Sequence, residues 1–253
     1  MTTKRKIVVM AVVVFIALIM LTSSFVFMVK KVDAQVVGGG SFGVEEQVIE
    51  YAGIKKNTNI FFINKTKAIN SIEKNLAEVK VEKIERKFPN AVLITVSFRH
   101  TLFYVREDDE TNVYDYVLDG DLKVIDKYTV TLPAAFPADT IELKGVTLGA
   151  TEKGDFYSAP IMKSFLRYFL THPHYSLSRI RTDFKSIELS GSNIIVTTST
   201  NSVITLRNVM TSTKLLSDSF LSILNQNPTQ FVNSTGWFEI VDGQLAGNTT
   251  PNP

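Results

Sequence analysis

The sequence predicts an α+β fold: an N-terminal transmembrane helix, a β-α-α-β-β unit, and then a mainly antiparallel β domain with packed helices. Three observations support this prediction. A run of 23 residues without a charged side chain, Ile7 to Val29, lies near the N-terminus. The stretch that follows shows one strand pattern, two helix patterns and two strand patterns, in that order. The second half is dominated by short runs with period-two alternation, separated by turn residues.

The uncharged run is long enough to cross a membrane. As a helix it would extend roughly 34 Å, against a hydrocarbon core of about 30 Å. A cleaved signal peptide remains an alternative, although its apolar core is normally only about 7–15 residues; a buried helix is another, although one apolar on all sides is rare in a small domain. Basic residues flank the run on both sides, so charge alone does not fix its orientation. We predict a permanent anchor over residues 7–29 after a short tail, 1–6.

The unit after the anchor begins with a strand and a helix. Val32, Ala34 and Val36 alternate with residues of the other face, as in a strand. A helix then places Val44, Val48, Ile49 and Ala52 on one face, with a glycine at each end as the predicted cap, Gly43 and Gly53.

A second helix and a hairpin complete the unit. Asn64 is the predicted N-cap of the helix, whose apolar stripe ends at Leu76. Two strand patterns follow, Val79 to Phe88 and Ala91 to Phe98, and Pro89-Asn90 between them is typical of a turn. The two helices can cover one face of a three-stranded sheet.

Two motifs in this unit carry a resemblance to a known family. Asn59-Ile60-Phe61 lies between the helices, and Arg86-x-x-Pro89 precedes the alternating strand. With the basic tail and the single span, this pattern resembles the FtsQ/DivIB family of bacterial cell-division proteins, whose first unit after the membrane is a POTRA domain. The resemblance implies a curved β domain in the second half.

The second half reads as strands and two helices. An acidic turn separates the first two strands, and His172-Pro173 ends the first helix. The predicted strands are 102–105, 113–118, 122–125, 141–146, 186–189, 193–198, 202–206 and 236–241, and the predicted helices are 161–170 and 214–224. The last residues are rich in Gly, Asn, Thr and Pro, which is typical of disorder. The predicted organisation is a cytoplasmic tail (1–6), transmembrane helix (7–29), POTRA domain (30–99), β domain (100–241) and disordered tail (242–253).

Composition argues against most catalytic chemistry. The chain has 27 basic and 25 acidic residues, which gives no electrostatic basis for binding nucleic acid, and it has no cysteine for a disulfide or thiolate metal site. His172-x-His174 has no evident third metal ligand, and Asp108-Asp109-Glu110 is more typical of a solvated turn than of a cation site. No phosphate loop, nucleophile elbow or dinucleotide motif occurs. We therefore predict no enzyme activity, no cofactor, no metal and no small-molecule substrate.

A binding function remains, and the last strand-like run is its predicted site. A free sheet edge accepts a strand from another chain, and this run would precede a loose tail and contains the only tryptophan. A core role for the two aromatic residues is the alternative. The predicted partner-binding residues are Trp237, Phe238, Glu239, Ile240 and Val241.

The resemblance implies a non-catalytic divisome scaffold in the cell membrane at the division septum. Its N-terminus would be cytoplasmic and its C-terminal domains extracytoplasmic. Its partners would be bitopic division proteins similar to FtsB and FtsL, and through them septal peptidoglycan synthesis. Two alternatives are a membrane-anchored extracellular hydrolase or peptidoglycan-modifying enzyme, and a POTRA chaperone or export factor unrelated to division.

Overall fold

The chain divides into two compact units, Met1–Arg99 (the small unit) and His100–Pro253 (the large unit). The structure is a computed structural model that describes residues 5, 10–15, 25–38, 43–108, 111–130, 139–149, 151–157, 160–173, 176–227 and 231–251. Each unit has its own hydrophobic core.

The small unit has the predicted β-α-α-β-β order. Its elements are β1 (Lys31–Val37), α1 (Val44–Ala52), a short 3-10 helix (Ile60–Phe62), α2 (Lys65–Asn75), β2 (Val79–Lys87) and β3 (Ala91–Phe98). In the described residues its three strands form one sheet in the order β1-β3-β2, with β1 parallel and β2 antiparallel to β3. The central strand β3 buries Val92, Ile94 and Val96 completely or nearly so against the helices, because successive side chains of a strand point to opposite faces.

The predicted helix caps of the small unit are confirmed. Gly43 precedes α1 and Gly53 follows it, both with a left-handed backbone that glycine adopts without steric cost. The Asn64 side chain accepts a hydrogen bond from the Lys67 N–H at 2.9 Å, which satisfies one of the unpaired donors at the start of α2. α1 and α2 are thereby fixed in length over one face of the sheet.

The large unit is built on a mostly antiparallel sheet, so the predicted α+β class is confirmed there too. Nine described strands pair in the order β12-β11-β10-β9-β8-β7-β4-β5-β6. Its strands are β4 (Phe103–Asp108), β5 (Val113–Leu118), β6 (Val124–Val130), β7 (Ile141–Lys144), β8 (Phe184–Ser190), β9 (Asn193–Thr198), β10 (Val203–Leu206), β11 (Ser234–Val241) and β12 (Gln244–Pro251), and its helices are α3 (Pro160–Leu170), α4 (Leu177–Asp183) and α5 (Val209–Gln226).

Aromatic side chains join helices and sheet in the large unit. Phe165 and Phe169 of α3 stack at 5.2 Å, and Phe169 lies 5.1 Å from Phe184 of β8, both between ring centroids. Phe220 of α5 reaches Phe238 of β11 at 5.8 Å. These rings form part of one continuous core, which holds β11 in a fixed position.

The prediction of a disordered tail over 242–253 is wrong for the residues that the structure describes. Asp242 and Gly243, with positive φ values of 51° and 75°, form a two-residue turn, and β12 then pairs with the whole of β11. Asp-Gly is a strong hairpin signal because both turn positions require positive φ. Leu245 packs against the core and fixes the strand.

Much of the predicted transmembrane helix, residues 7–9 and 16–24, lies outside the described residues. Residues 10–15 are helical, as are Phe25 and Val26. The helix ends before the predicted bound at Val29, because Val29 is buried in the core of the small unit and its backbone bonds to Asn57 and Thr58. Within the part of the chain that the structure describes, no helix is both long enough and apolar enough to span a bilayer.

Candidate partner-binding edge of the large sheet

The five predicted partner-binding residues, Trp237 to Val241, lie in β11, which is not the edge of the sheet. β10 pairs with β11 on one side, matching Thr205 with Trp237, and β12 pairs with it on the other. The premise that this run closes the sheet is therefore wrong, because the hairpin after Val241 adds one more strand. Whether these residues contact a partner stays a prediction.

The side chains of β11 alternate between the core and the opposite face. Phe238 is buried beside the rings of Phe220 and Phe231, at centroid distances of 5.8 and 5.9 Å. It therefore has the core role that was the alternative to partner binding in the sequence analysis. Trp237 instead lies half-buried under the Arg207 guanidinium, 4.4 Å from its ring centroid. This cation–π contact holds the only tryptophan of the chain on the face away from the core.

Glu239 and Val241 share the Trp237 side of β11. The Glu239 carboxylate accepts a hydrogen bond from the Asn208 side-chain amide, and Val241 is half-exposed. Ile240, like Phe238, packs against the core. The predicted residues thus divide into two that stabilise the fold and three that line an accessible face.

β12 forms the free edge at this end of the sheet. Among the described residues, its backbone pairs with β11 alone, so one row of N–H and C=O groups faces outward. No residue from Gln244 to Pro251 is charged. Asn248 and Thr250 are exposed, and Ala246 and Gly247 are small. An uncharged edge with small side chains at its centre lets another backbone approach closely.

The opposite edge of the sheet, β6, is partly covered. The Val124 N–H donates to the Asp155 carbonyl, and the Gly154 N–H donates to the Val124 carbonyl, each at 2.9 Å. Lys127 adds a charge to this strand and pairs with Glu152 at 2.8 Å. Coverage and charge are the usual means by which proteins block strand addition. β6 is therefore a poorer docking edge than β12.

The small sheet also carries charges along its outer strands. On β1, Lys31 pairs with Asp33 at 2.8 Å. On β2, Lys83 and Lys87 both lie within 3.3 Å of Glu85, and these two ammonium groups lower the pKa of its carboxyl. Long charged side chains on an edge disfavour pairing with an uncharged strand.

The residues considered for metal binding from the sequence form no such site where they can be described. Asp109, Glu110 and His174 lie outside the described residues. His172 is buried, and its Nε2 lies 3.4 Å from the Ser222 hydroxyl. In the described ranges, no three potential metal ligands of the His, Cys, Asp and Glu types are grouped together.

Comparison with protein families identifies the small unit. Residues 35–97 match the model of the POTRA domain, FtsQ-type. The match begins within β1 and ends within β3, so it covers almost the whole β-α-α-β-β unit. A search of curated proteins found no match to this chain.

Proposed function

We propose that this chain, whose FtsQ-type POTRA domain supports its membership in the FtsQ/DivIB family, is a non-catalytic cell-division scaffold. It links bitopic proteins similar to FtsB and FtsL to septal peptidoglycan synthesis at the outer face of the membrane. The part of the uncharged run that precedes Phe27 anchors it, with a cytoplasmic N-terminus and with the POTRA and β domains outside. The observation that carries the binding role is that, among the strands the structure describes, β12 pairs with β11 alone.

The edge of β12 suits the addition of a partner strand. Main-chain hydrogen bonds supply affinity in this mode, and side chains on alternate positions supply specificity. Gln244, Asn248 and Thr250 are exposed and uncharged, so a partner strand that pairs with β12 would not have to bury a charged side chain of this strand. On the neighbouring strand, Trp237, Glu239 and Val241 offer side chains to a partner that extends over the outer face.

A pair of proline substitutions tests this docking mode. In an edge strand, neighbouring N–H groups point alternately toward the existing partner and toward solvent. Of Asn248→Pro and Thr249→Pro, one therefore removes an outward donor, while the other removes a bond to β11. We expect the outward variant to stay folded and to bind FtsB- or FtsL-like ectodomains at least about tenfold more weakly, since one or more charge-neutral hydrogen bonds at about 1 kcal/mol each and the close fit are lost.

The measurement is titration of the full-length chain in detergent with purified partner ectodomains. Asn248→Ala and Thr249→Ala are the matched controls, because each loses the side chain but keeps its N–H. Circular dichroism and amide exchange of β11 identify which proline variant preserves the sheet. If both proline variants are folded and bind as tightly as their alanine controls, the β12 edge is not the docking site.

A further inference from the structure

The POTRA domain exposes a cluster of phenylalanine rings. We name the side chains of Phe27, Phe61 and Phe88, together with that of Phe62 beside Phe61 in the chain, the aromatic patch. Ring centroids lie 5.2 Å apart for Phe27 and Phe61, 6.0 Å for Phe27 and Phe88, and 5.5 Å for Phe61 and Phe88. Phe61, Phe62 and Phe88 are 52%, 81% and 57% exposed. Grouped apolar rings on a surface indicate a binding site rather than chance exposure.

A network of hydrogen bonds holds the patch in place. The Arg86 side chain donates from Nε to the Ile60 carbonyl at 2.8 Å and from Nη2 to the Phe61 and Ile63 carbonyls at 3.3 Å. The Asn59 carboxamide accepts from the Phe61 N–H at 2.9 Å, and Ile60 is fully buried. Phe61 and Phe62 therefore project from a fixed turn, which lowers the entropy that their side chains lose on binding.

The patch lies where the chain leaves its uncharged run. Phe27 belongs to that run, and its carbonyl accepts from the Ile60 N–H at 2.8 Å. Val29 exchanges backbone hydrogen bonds with Asn57 and Thr58, each at 2.9 Å. The end of the run is thus part of the POTRA fold. If the run is anchored in a bilayer, the patch must lie close to the lipid surface, because Phe27 belongs to the run and its ring packs against Phe61 and Phe88.

Exposed lysines flank the patch along the sequence. Lys30, Lys31, Lys55, Lys56 and Lys87 are all exposed and lie close in the chain to Phe27, Phe61 or Phe88. Lys31 and Lys87 also pair with carboxylates of their own strands. Apolar rings flanked by lysines are the composition with which proteins contact the interface of an anionic bilayer.

We propose that the aromatic patch inserts into the interfacial layer of the membrane and holds the POTRA domain against the lipid surface. This inference rests on the proposed anchoring by the part of the uncharged run that precedes Phe27. The occupant is the lipid interface, because the patch includes part of the uncharged run itself. It gives the domain a second membrane contact and limits how far it can tilt or swing about the anchor.

Quenching of tryptophan by brominated lipid tests the insertion. The full-length chain with Trp237→Phe has no tryptophan of its own, so Phe62→Trp or Phe88→Trp adds a single probe within the patch. Each protein is placed in nanodiscs of anionic phospholipid with or without brominated acyl chains. We expect brominated lipid to reduce fluorescence about twofold or more, since rings at the headgroup–acyl boundary lie ~5–10 Å deep.

Lys74→Trp in the same Trp237→Phe background is the matched control. Lys74 is exposed at the far end of α2, next to Glu73, which pairs with Arg99 at the end of the domain. Its probe should not be quenched. A chain that remains in nanodiscs while both patch probes behave like the control overturns this inference alone, whether the patch then contacts protein or solvent. A chain that does not enter nanodiscs overturns the proposed anchoring and the inference together.

Discussion

Two arginines stabilise the POTRA domain from within by binding groups that are distant in sequence. Arg86 binds three carbonyls around the 3-10 helix, and Arg99 closes the other end of the domain. The Arg99 guanidinium donates to the Val79 carbonyl at 3.1 Å and to the Glu73 carboxylate at 2.8 Å. The other oxygen of Glu73 accepts from the Val81 N–H at 2.9 Å. The carboxylate thus joins α2, β2 and the end of the domain.

We predict that Arg99→Ala destabilises the POTRA domain by about 3–5 kcal/mol, because it removes the cation from a largely buried carboxylate. The side chains of Arg99 and Glu73 are only 2% and 13% exposed. Hydrogen exchange of the β2 and β3 amides in the full-length chain measures the loss. Arg99→Ala combined with Glu73→Gln should recover part of it, because the charge is gone while an oxygen still accepts from Val81. Unchanged protection in the single variant would contradict the prediction.

The sequence predicts contacts between residues that are close in the chain, but not contacts between residues that are far apart in it. Asn64 could be predicted as a helix cap because its partner is Lys67, three residues along the same backbone. The pair Glu73–Arg99 and the contact of Arg86 with Ile60 span 26 residues each, and only the folded sheet brings them together. The sequence shows the two motifs that carry the resemblance, Asn59-Ile60-Phe61 and Arg86-x-x-Pro89, but not the contact between Arg86 and the Ile60 carbonyl.

The hairpin of β11 and β12 is the element that decides where the large sheet ends. Its two strands differ in composition, because β11 contains several large apolar residues whereas Leu245 is the only one in β12. The composition of the last residues predicts disorder, whereas the Asp242-Gly243 turn predicts the hairpin that is found. α4 was also missed, since it is only 7 residues long, yet Ser176 caps it by accepting from the Arg179 N–H at 3.4 Å.

Close packing of the hairpin depends on a glycine. A Cβ at position 247 would lie 2.7 Å from the Trp237 carbonyl oxygen and would clash with the Phe238 ring. We predict that Gly247→Ala destabilises the hairpin by about 1–3 kcal/mol, the typical cost of overpacking. Amide exchange across β12 should increase, and partner binding should weaken with it.

Ala246→Ser is the matched control for the glycine variant. It also adds one heavy atom to β12, but at the neighbouring position, whose side chain points to the opposite face. The double variant Gly247→Ala with Phe238→Leu should regain some protection, because the smaller side chain leaves room for the methyl group. Equal exchange in Gly247→Ala and Ala246→Ser would show that Phe238 does not restrict this strand.

At the scale of the whole molecule, the two proposed binding surfaces belong to different units. The POTRA domain carries the rigid aromatic patch next to the uncharged run, and the large unit carries the uncharged edge of β12. Neither surface uses a titratable group as its main contact. Partner binding through β12 should therefore depend little on salt, since screening weakens exposed charge pairs far more than backbone hydrogen bonds.

The proposed topology is the last prediction and concerns the entire chain. Flanking charge alone does not decide it, because basic residues lie on both sides of the uncharged run. The topology follows instead from the proposed scaffold role, in which the large unit meets its partners outside the membrane. The native chain contains no cysteine, so Thr3→Cys and Ser199→Cys each provide a single thiol, the latter at an exposed position after β9. In intact cells a membrane-impermeant maleimide should label Ser199→Cys but not Thr3→Cys, which should react only after the membrane is permeabilised. Labelling of Thr3→Cys alone in intact cells would show that the topology is the reverse of the proposed one, and it would also contradict the proposed role at the outer face.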